Sequence, residues 1–96
     1  MTMGPIVQNK REDILRIATQ YGASHIRVFG SVARGEAGPE SDIDVLIHLE
    51  PGRSLLDIVA IKQDLEELLG RKVDVLTESS ISPYLRDHIL KEAIEL

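Results

Sequence analysis

The feature that most limits how this chain can fold is the run Val45-Leu46-Ile47, which follows Asp42-Ile43-Asp44 and predicts a strand over 42–49. A strand that is apolar on both sides has to be covered on both faces. A second strand-like stretch runs from Lys72 to Thr77. Between the two, Ser54 with Asp57 opens a predicted helix that Gly70 closes, and Leu55, Leu56, Ile58, Val59, Leu65, Leu68 and Leu69 give it a broad apolar face. Strands separated by a helix pair in parallel, because parallel neighbours need a crossover connection.

The remaining segments are placed around this βαβ unit. A helix is predicted from Asn9 to Tyr21, with Asn9 as cap, Glu12 completing a capping box, and Ile14, Leu15, Ala18 and Tyr21 at helical spacing. Gly22 stops it, and His25 to Phe29 reads as a short strand. Val32-Ala33-Arg34 suits a helical turn, and 35–41 is loop chemistry. Ser82-Pro83 is an N-cap with Pro at the first helical position. It starts a last helix predicted to reach Glu95, with Leu85, Ile89, Leu90, Ala93 and Ile94 inward. The expectation is an α/β (α+β) chain, a small mixed sheet flanked by helices, with residues 1–96 forming one domain.

Composition narrows the functional classes. The chain has no Cys, so disulfide frames and thiolate metal sites are excluded. No signal-peptide pattern and no apolar run near the ~18–20 residues of a membrane span is present, so a cytoplasmic location is expected. With 16 acidic and 11 basic residues the formal charge is −5 and the basic residues are scattered. A phosphate-gripping basic face is therefore not expected, and neither is direct nucleic-acid binding.

Three features carry chemistry. Asp42 and Asp44 are two apart on a strand, so their carboxylates project to one side. Such a pair repels by up to ~4 kcal/mol at ~4 Å with an effective dielectric near ~20. Mg²⁺, which prefers carboxylate oxygen, offsets that repulsion; a solvated acidic strand start is the alternative for an isolated Asp-x-Asp. Gly30-Ser31 stands ten residues before Asp42. Gly30 lets backbone lie close to a ligand, and Ser31 with the following amides can donate to phosphate oxygens; taken alone, the pair reads as a turn. Asp74 lies between Val73 and Val75, on the opposite strand face from both. A carboxylate in an apolar strand is costly unless paired, solvated or coordinating. If the two strands are neighbours, Asp74 stands beside Asp42 and Asp44, a set suited to two-metal phosphoryl chemistry.

Gly30-Ser31, ten residues, Asp42-Ile43-Asp44 and a downstream strand Asp74 resemble the DNA polymerase β-like nucleotidyltransferase superfamily. The stretch from Val28 to Ala37, with Ser41 to Leu46 and Ile89-Leu90-Lys91-Glu92-Ala93, is similar to the minimal nucleotidyltransferases (MNT), commonly the antitoxin half of HEPN/MNT toxin–antitoxin pairs. This resemblance implies transfer of AMP from ATP to a tyrosine hydroxyl of a partner HEPN ribonuclease toxin. By motif position, Asp42, Asp44 and Asp74 are the catalytic carboxylates that bind two Mg²⁺ (or Mn²⁺), and Gly30 and Ser31 bind the triphosphate. Arg34 either reaches the γ-phosphate or closes an ion pair with Glu36 or Glu40. All 96 residues go to one catalytic-type core, so another molecule is expected to present the acceptor.

Two other readings stay open at this point: an antitoxin that acts by covering its partner, and transfer to a small molecule. His25, His48 and His88 are too dispersed in sequence for a metal cluster, although strand alternation puts His48 on the face of Asp42 and Asp44. Tyr21 and Tyr84 read as packing residues, and Glu66-Glu67 as an exposed helix face.

Overall fold

The computed structural model describes residues 5–36, 38 and 41–96, with only the backbone of Pro5. Strands β2 (Ile43–Leu49) and β3 (Val73–Thr77) pair in parallel, Ile43 opposite Val73 and Ile47 opposite Thr77. Helix α4 (Leu55–Leu69) makes the crossover. Its start is fixed by reciprocal bonds: Leu56 N–H donates to Ser54 Oγ at 3.2 Å, and Ser54 N–H donates to Asp57 Oδ2 at 3.0 Å. Gly70 ends it in the left-handed conformation.

Strand β1 (Ala23–Phe29) pairs antiparallel with β2 and, on its other side, with a two-residue strand β4 (Ile94–Glu95). The sheet order is β3-β2-β1-β4, mixed as expected. Helices α1 (Pro5–Asn9), α2 (Arg11–Gln20), α3 (Gly30–Arg34) and α5 (Pro83–Glu92) complete the described elements, with a 3₁₀ turn at Glu78–Ser80.

Alternation along β2 divides the core. Ile43, Val45 and Ile47 join a large cluster that includes Ile14 and Ala18 of α2 and Ile61, Leu65 and Leu69 of α4. Leu46 points the other way, into a smaller cluster with Phe29, Ile81 and Ile89. The edge strand β3 is blunted from α4. Lys62 Nζ donates to Val73 O at 2.7 Å, and Val73 N–H donates to Glu66 Oε2 at 3.0 Å, so both backbone groups of Val73 are taken.

Five local expectations are corrected. Asn9 closes α1 instead of capping α2, whose start at Lys10 has no side-chain cap. The extra turn brings Val7 fully into the large cluster, and Ile14 N–H bonds Lys10 O at 2.9 Å across the junction. The last helix stops at Glu92, and Leu96 N–H donates to Ile26 O at 2.9 Å, because pairing satisfies the open edge of β1 where another helical turn would not. Leu85 does not face inward, and the apolar face of α4 is narrower than its composition suggests, with Leu55, Leu56 and Val59 exposed. Tyr84 is 95% exposed and packs on little, whereas half-buried Tyr21 donates its hydroxyl to Asp64 at 2.9 Å.

Candidate functional site

The parallel register places Asp44 directly opposite Asp74, and the antiparallel register places Phe29 on the other side of Asp44. The central carboxylate of the predicted set is thus flanked by the end of β1 and the start of β3. Asp42 immediately precedes β2 and is half-buried, as are Asp44 and Asp74.

Gly30 follows Phe29 with φ +74, a left-handed conformation that side chains rarely adopt. A Cβ built there would collide with Asp44 Oδ2. The turn out of β1 therefore lies against the carboxylate, and both the backbone angle and the space require glycine. Ser31, half-buried at the start of α3, has a hydroxyl with no hydrogen-bond partner among the described residues. The structure brings Gly30 and Ser31 to the same end of the sheet as Asp42, Asp44 and Asp74.

Electrostatics mark Asp44 out. Its pKa is raised to about 6, first by desolvation and then by the neighbouring charges of Asp74 and Asp42, a hydrogen bond with Asp74 and the charge of Glu92. This is a crowded acidic site in which one carboxyl holds its proton well above the usual range. Hard oxygen donors crowded in this way suit a divalent cation such as Mg²⁺. Among the described residues no group of three or more His, Asp and Glu side chains is gathered tightly enough to hold a metal ion as it stands. The Asp44–Asp74 pair with its glycine cradle fits the ion, and Asp42 is near enough for its charge to act on Asp44.

Arg34, at the end of α3, bonds Glu36 Oε1 through Nε at 2.7 Å and Glu92 Oε1 through Nη1 at 2.6 Å. The first is the local pairing considered from sequence; Glu40 lies outside the described residues. The second joins α3 to α5 and was not anticipated. Glu92 also lies 3.1 Å from His88 Nε2 and contributes to the field at Asp44, a fourth acidic group that sequence reasoning missed. Its signals in the sequence were its place in Ile89-Leu90-Lys91-Glu92-Ala93 and its i,i+4 spacing from His88, and neither points to the carboxylates.

His48 is not brought to the carboxylates. It lies four residues beyond Asp44, roughly 13 Å along the strand, with buried Leu46 between them. Its ring meets that of His25 edge-on at 6.1 Å. It lines a cavity of about 610 Å³ at the opposite end of β2 and β3, with Leu55, Ile58, Ser79 and Arg86. None of the three aspartates lines that cavity, and the chemistry of the donors identifies the site.

The nucleotidyltransferase domain family profile matches residues 11–96. A Methanocaldococcus jannaschii relative, provisionally described as a protein adenylyltransferase, is 46% identical over 90% of this chain and 92% of its own. Protein adenylyltransferase MntA of Thermococcus cleftensis is 39% identical over 78% of this chain and 76% of its own. A solved structure provisionally described as a minimal nucleotidyltransferase superposes with TM-score 0.85 at 48% identity, covering 94% of this chain and 92% of that one. A toxin–antitoxin complex, MntA-HpeT with a Y104A mutation, contains a chain matching at TM-score 0.71 and 25% identity over 93% of this chain and 70% of that one.

Proposed function

Because this chain belongs to the nucleotidyltransferase domain family, we propose that it transfers AMP from ATP to a hydroxyl of a partner protein, a tyrosine of a HEPN ribonuclease toxin, and so acts as an antitoxin. The observation that carries the reading is the Asp44–Asp74 register with Gly30 lying against Asp44. Adenylyltransferase relatives support the reaction class, and the toxin–antitoxin complex of a 25%-identical chain supports the type of partner.

Asp42, Asp44 and Asp74 would hold two Mg²⁺ ions, which supply charge neutralisation for the triphosphate and lower the pKa of the acceptor hydroxyl. Asp44 would be the central ligand, since the charges of both Asp74 and Asp42 act on it. Gly30 keeps the backbone close enough for its neighbours to donate to phosphate oxygens, and the Ser31 hydroxyl is free to do the same. Asp74, on the edge strand β3, would take the proton of the acceptor hydroxyl. Arg34 is already held by two carboxylates, so its part is to fix α3 against α5. No helix among the described residues is long and apolar enough to cross a membrane.

The test is incubation with labelled ATP, Mg²⁺ and the purified partner. Label should reach a partner tyrosine, and Asp44→Asn should abolish transfer while leaving the fold intact. Transfer that survives this change sinks the carboxylate assignment.

A further inference from the structure

Asp42 precedes the first residue of β2, so sheet pairing alone does not fix it. Its two flanking peptide groups are nevertheless both held, and both from the start of β3. On one side, Arg71 Nη2 donates to Ser41 O at 2.6 Å and to Gly38 O at 2.7 Å. On the other, Ile43 N–H donates to Lys72 O at 2.9 Å. The carbonyl before Asp42 and the amide after it are thus pinned to adjacent residues of one segment. Since those two peptide planes set the direction of the Cα–Cβ bond between them, the base from which the Asp42 side chain projects is fixed from Arg71-Lys72.

The turn that Arg71 holds is itself closed. Ser41 N–H donates to Gly38 O at 3.2 Å and Gly38 N–H donates to Ser41 Oγ at 2.9 Å. Arg71 thus bonds two residues that are already bonded to each other. It does so while its own Nε is buried with no partner among the described residues. An unsatisfied buried donor is unfavourable, and the position keeps it for the two carbonyl bonds made by Nη2.

We propose that Arg71 is a positioning residue for the nucleotidyl-transfer site: by bonding the Ser41 and Gly38 carbonyls it fixes the backbone from which Asp42 projects beside Asp44 and Asp74, without touching substrate. The inference rests on the metal-binding role given to Asp42 above. A clamp of this kind acts on where Asp42 points, and therefore on ion affinity and turnover. It acts little on the triphosphate, which Gly30 and Ser31 meet from other elements.

The experiment compares wild type, Arg71→Ala and Arg71→Lys in three measurements. The first is hydrogen exchange of the Gly38 and Ser41 amides in metal-free protein, normalised to the Val28 amide in β1. The second is Mn²⁺ affinity in the presence of a non-hydrolysable ATP analogue. The third is kcat and the KM for ATP in AMP transfer. In R71A the two turn amides should exchange at least ~10-fold faster with Val28 unchanged, and Mn²⁺ affinity and kcat should fall by about 10–100-fold, the range for outer-shell metal-site partners. The KM for ATP should move by less than about 3-fold, the uniform-binding part being left in place. R71K, which keeps a cation able to donate to the same carbonyls, should recover part of each loss, and it carries the test if R71A does not fold. Turn exchange, Mn²⁺ affinity and kcat all within about 2-fold of wild type in both variants overturn the proposal, since outer-shell partners give larger effects. Turn loosening that leaves Mn²⁺ affinity unchanged also overturns it, because Arg71 would then be structural only. If wild type itself binds no Mn²⁺ with the analogue, the metal reading of Asp42 fails first, and this role falls with it.

Discussion

The two faces of the sheet are built to different standards. On one, α2 and α4 cover β1, β2 and β3 with a cluster in which fifteen described residues are buried. On the other, only Phe29, Leu46, Ile81 and Ile89 are buried, and the same face of β2 presents Asp44 two residues from Leu46. The sparse face cannot close over the head of β2, because α5 covers only the Leu46 end and the chain turns back through Gly30 at the other. A carboxylate cluster survives there because it is half-exposed; on the crowded face it would need full burial, which charged groups tolerate only with partners. Stability comes from one face, and the room for chemistry comes from what the other leaves uncovered.

The largest effect that sharpens this comparison is on the sparse face. Asp44→Asn removes the central carboxylate and should lower AMP transfer at least ~100-fold, since metal-held charge stabilisation is worth several kcal/mol. Circular dichroism should show the fold retained. Gly30→Ala should lower transfer comparably for a different reason, because the new Cβ collides with Asp44 and the left-handed backbone disfavours it. An alanine variant of full activity would show that the turn does not need to lie on the carboxylate.

On the crowded face the effects are in stability. Ile61→Ala, at a side chain with no exposure, should cost about 2–5 kcal/mol in urea unfolding. Ile89→Ala, in the four-residue cluster and 9% exposed, should fall at or below the low end of that range. If the two cost the same, the faces are equally important to stability and the comparison breaks. Leu55→Ala, 76% exposed on α4, should lie within about 0.5 kcal/mol of wild type, which separates apolar composition from burial.

How much of this was legible from the chain depends on range. Asp42-Ile43-Asp44 and Asp74 were legible because strand periodicity and the parallel crossover are local rules, and together they put Asp44 beside Asp74. Gly30-Ser31 was legible through spacing, but its reason, contact of Gly30 with the Asp44 carboxylate, appears only when β1 lies against β2. Arg71, Glu92 and β4 were not legible. Each depends on an encounter between segments remote in sequence: Arg71 meets Gly38 and Ser41, Glu92 meets Arg34, and Ile94 meets Val28. The exposed Leu55 and Leu56 failed in the opposite direction, because hydrophobic composition tells which residues can be buried and not which have a surface to meet.

The smallest expected effect tests the electrostatic side of the comparison. In the unfolded chain an aspartate loses its proton near ~3.9, whereas folded Asp44 holds it to about 6. Between those values the folded protein binds a proton that the unfolded chain has released, so this group's contribution to stability falls as pH rises from about 4 to about 6, and is constant above. Glu66 works in the opposite direction. Its pKa is lowered by the hydrogen bond from Lys62 and then by the Val73 amide, and that contribution is lost as pH falls. Total stability against pH therefore mixes the two, and the informative quantity is the difference between wild type and Asp44→Asn in metal-free protein. Wild type should gain on the variant in thermal midpoint as pH is lowered from 7 toward 4.5, by an amount reduced through the partial exposure of Asp44. Mg²⁺ with a non-hydrolysable ATP analogue should reverse the slope, because the ion binds the ionised carboxylate and so stabilises the folded form that has lost the proton. A wild-type-minus-variant difference that is flat with pH would mean that Asp44 is better solvated than its neighbours imply, and the sparse face would then be merely open instead of electrostatically strained.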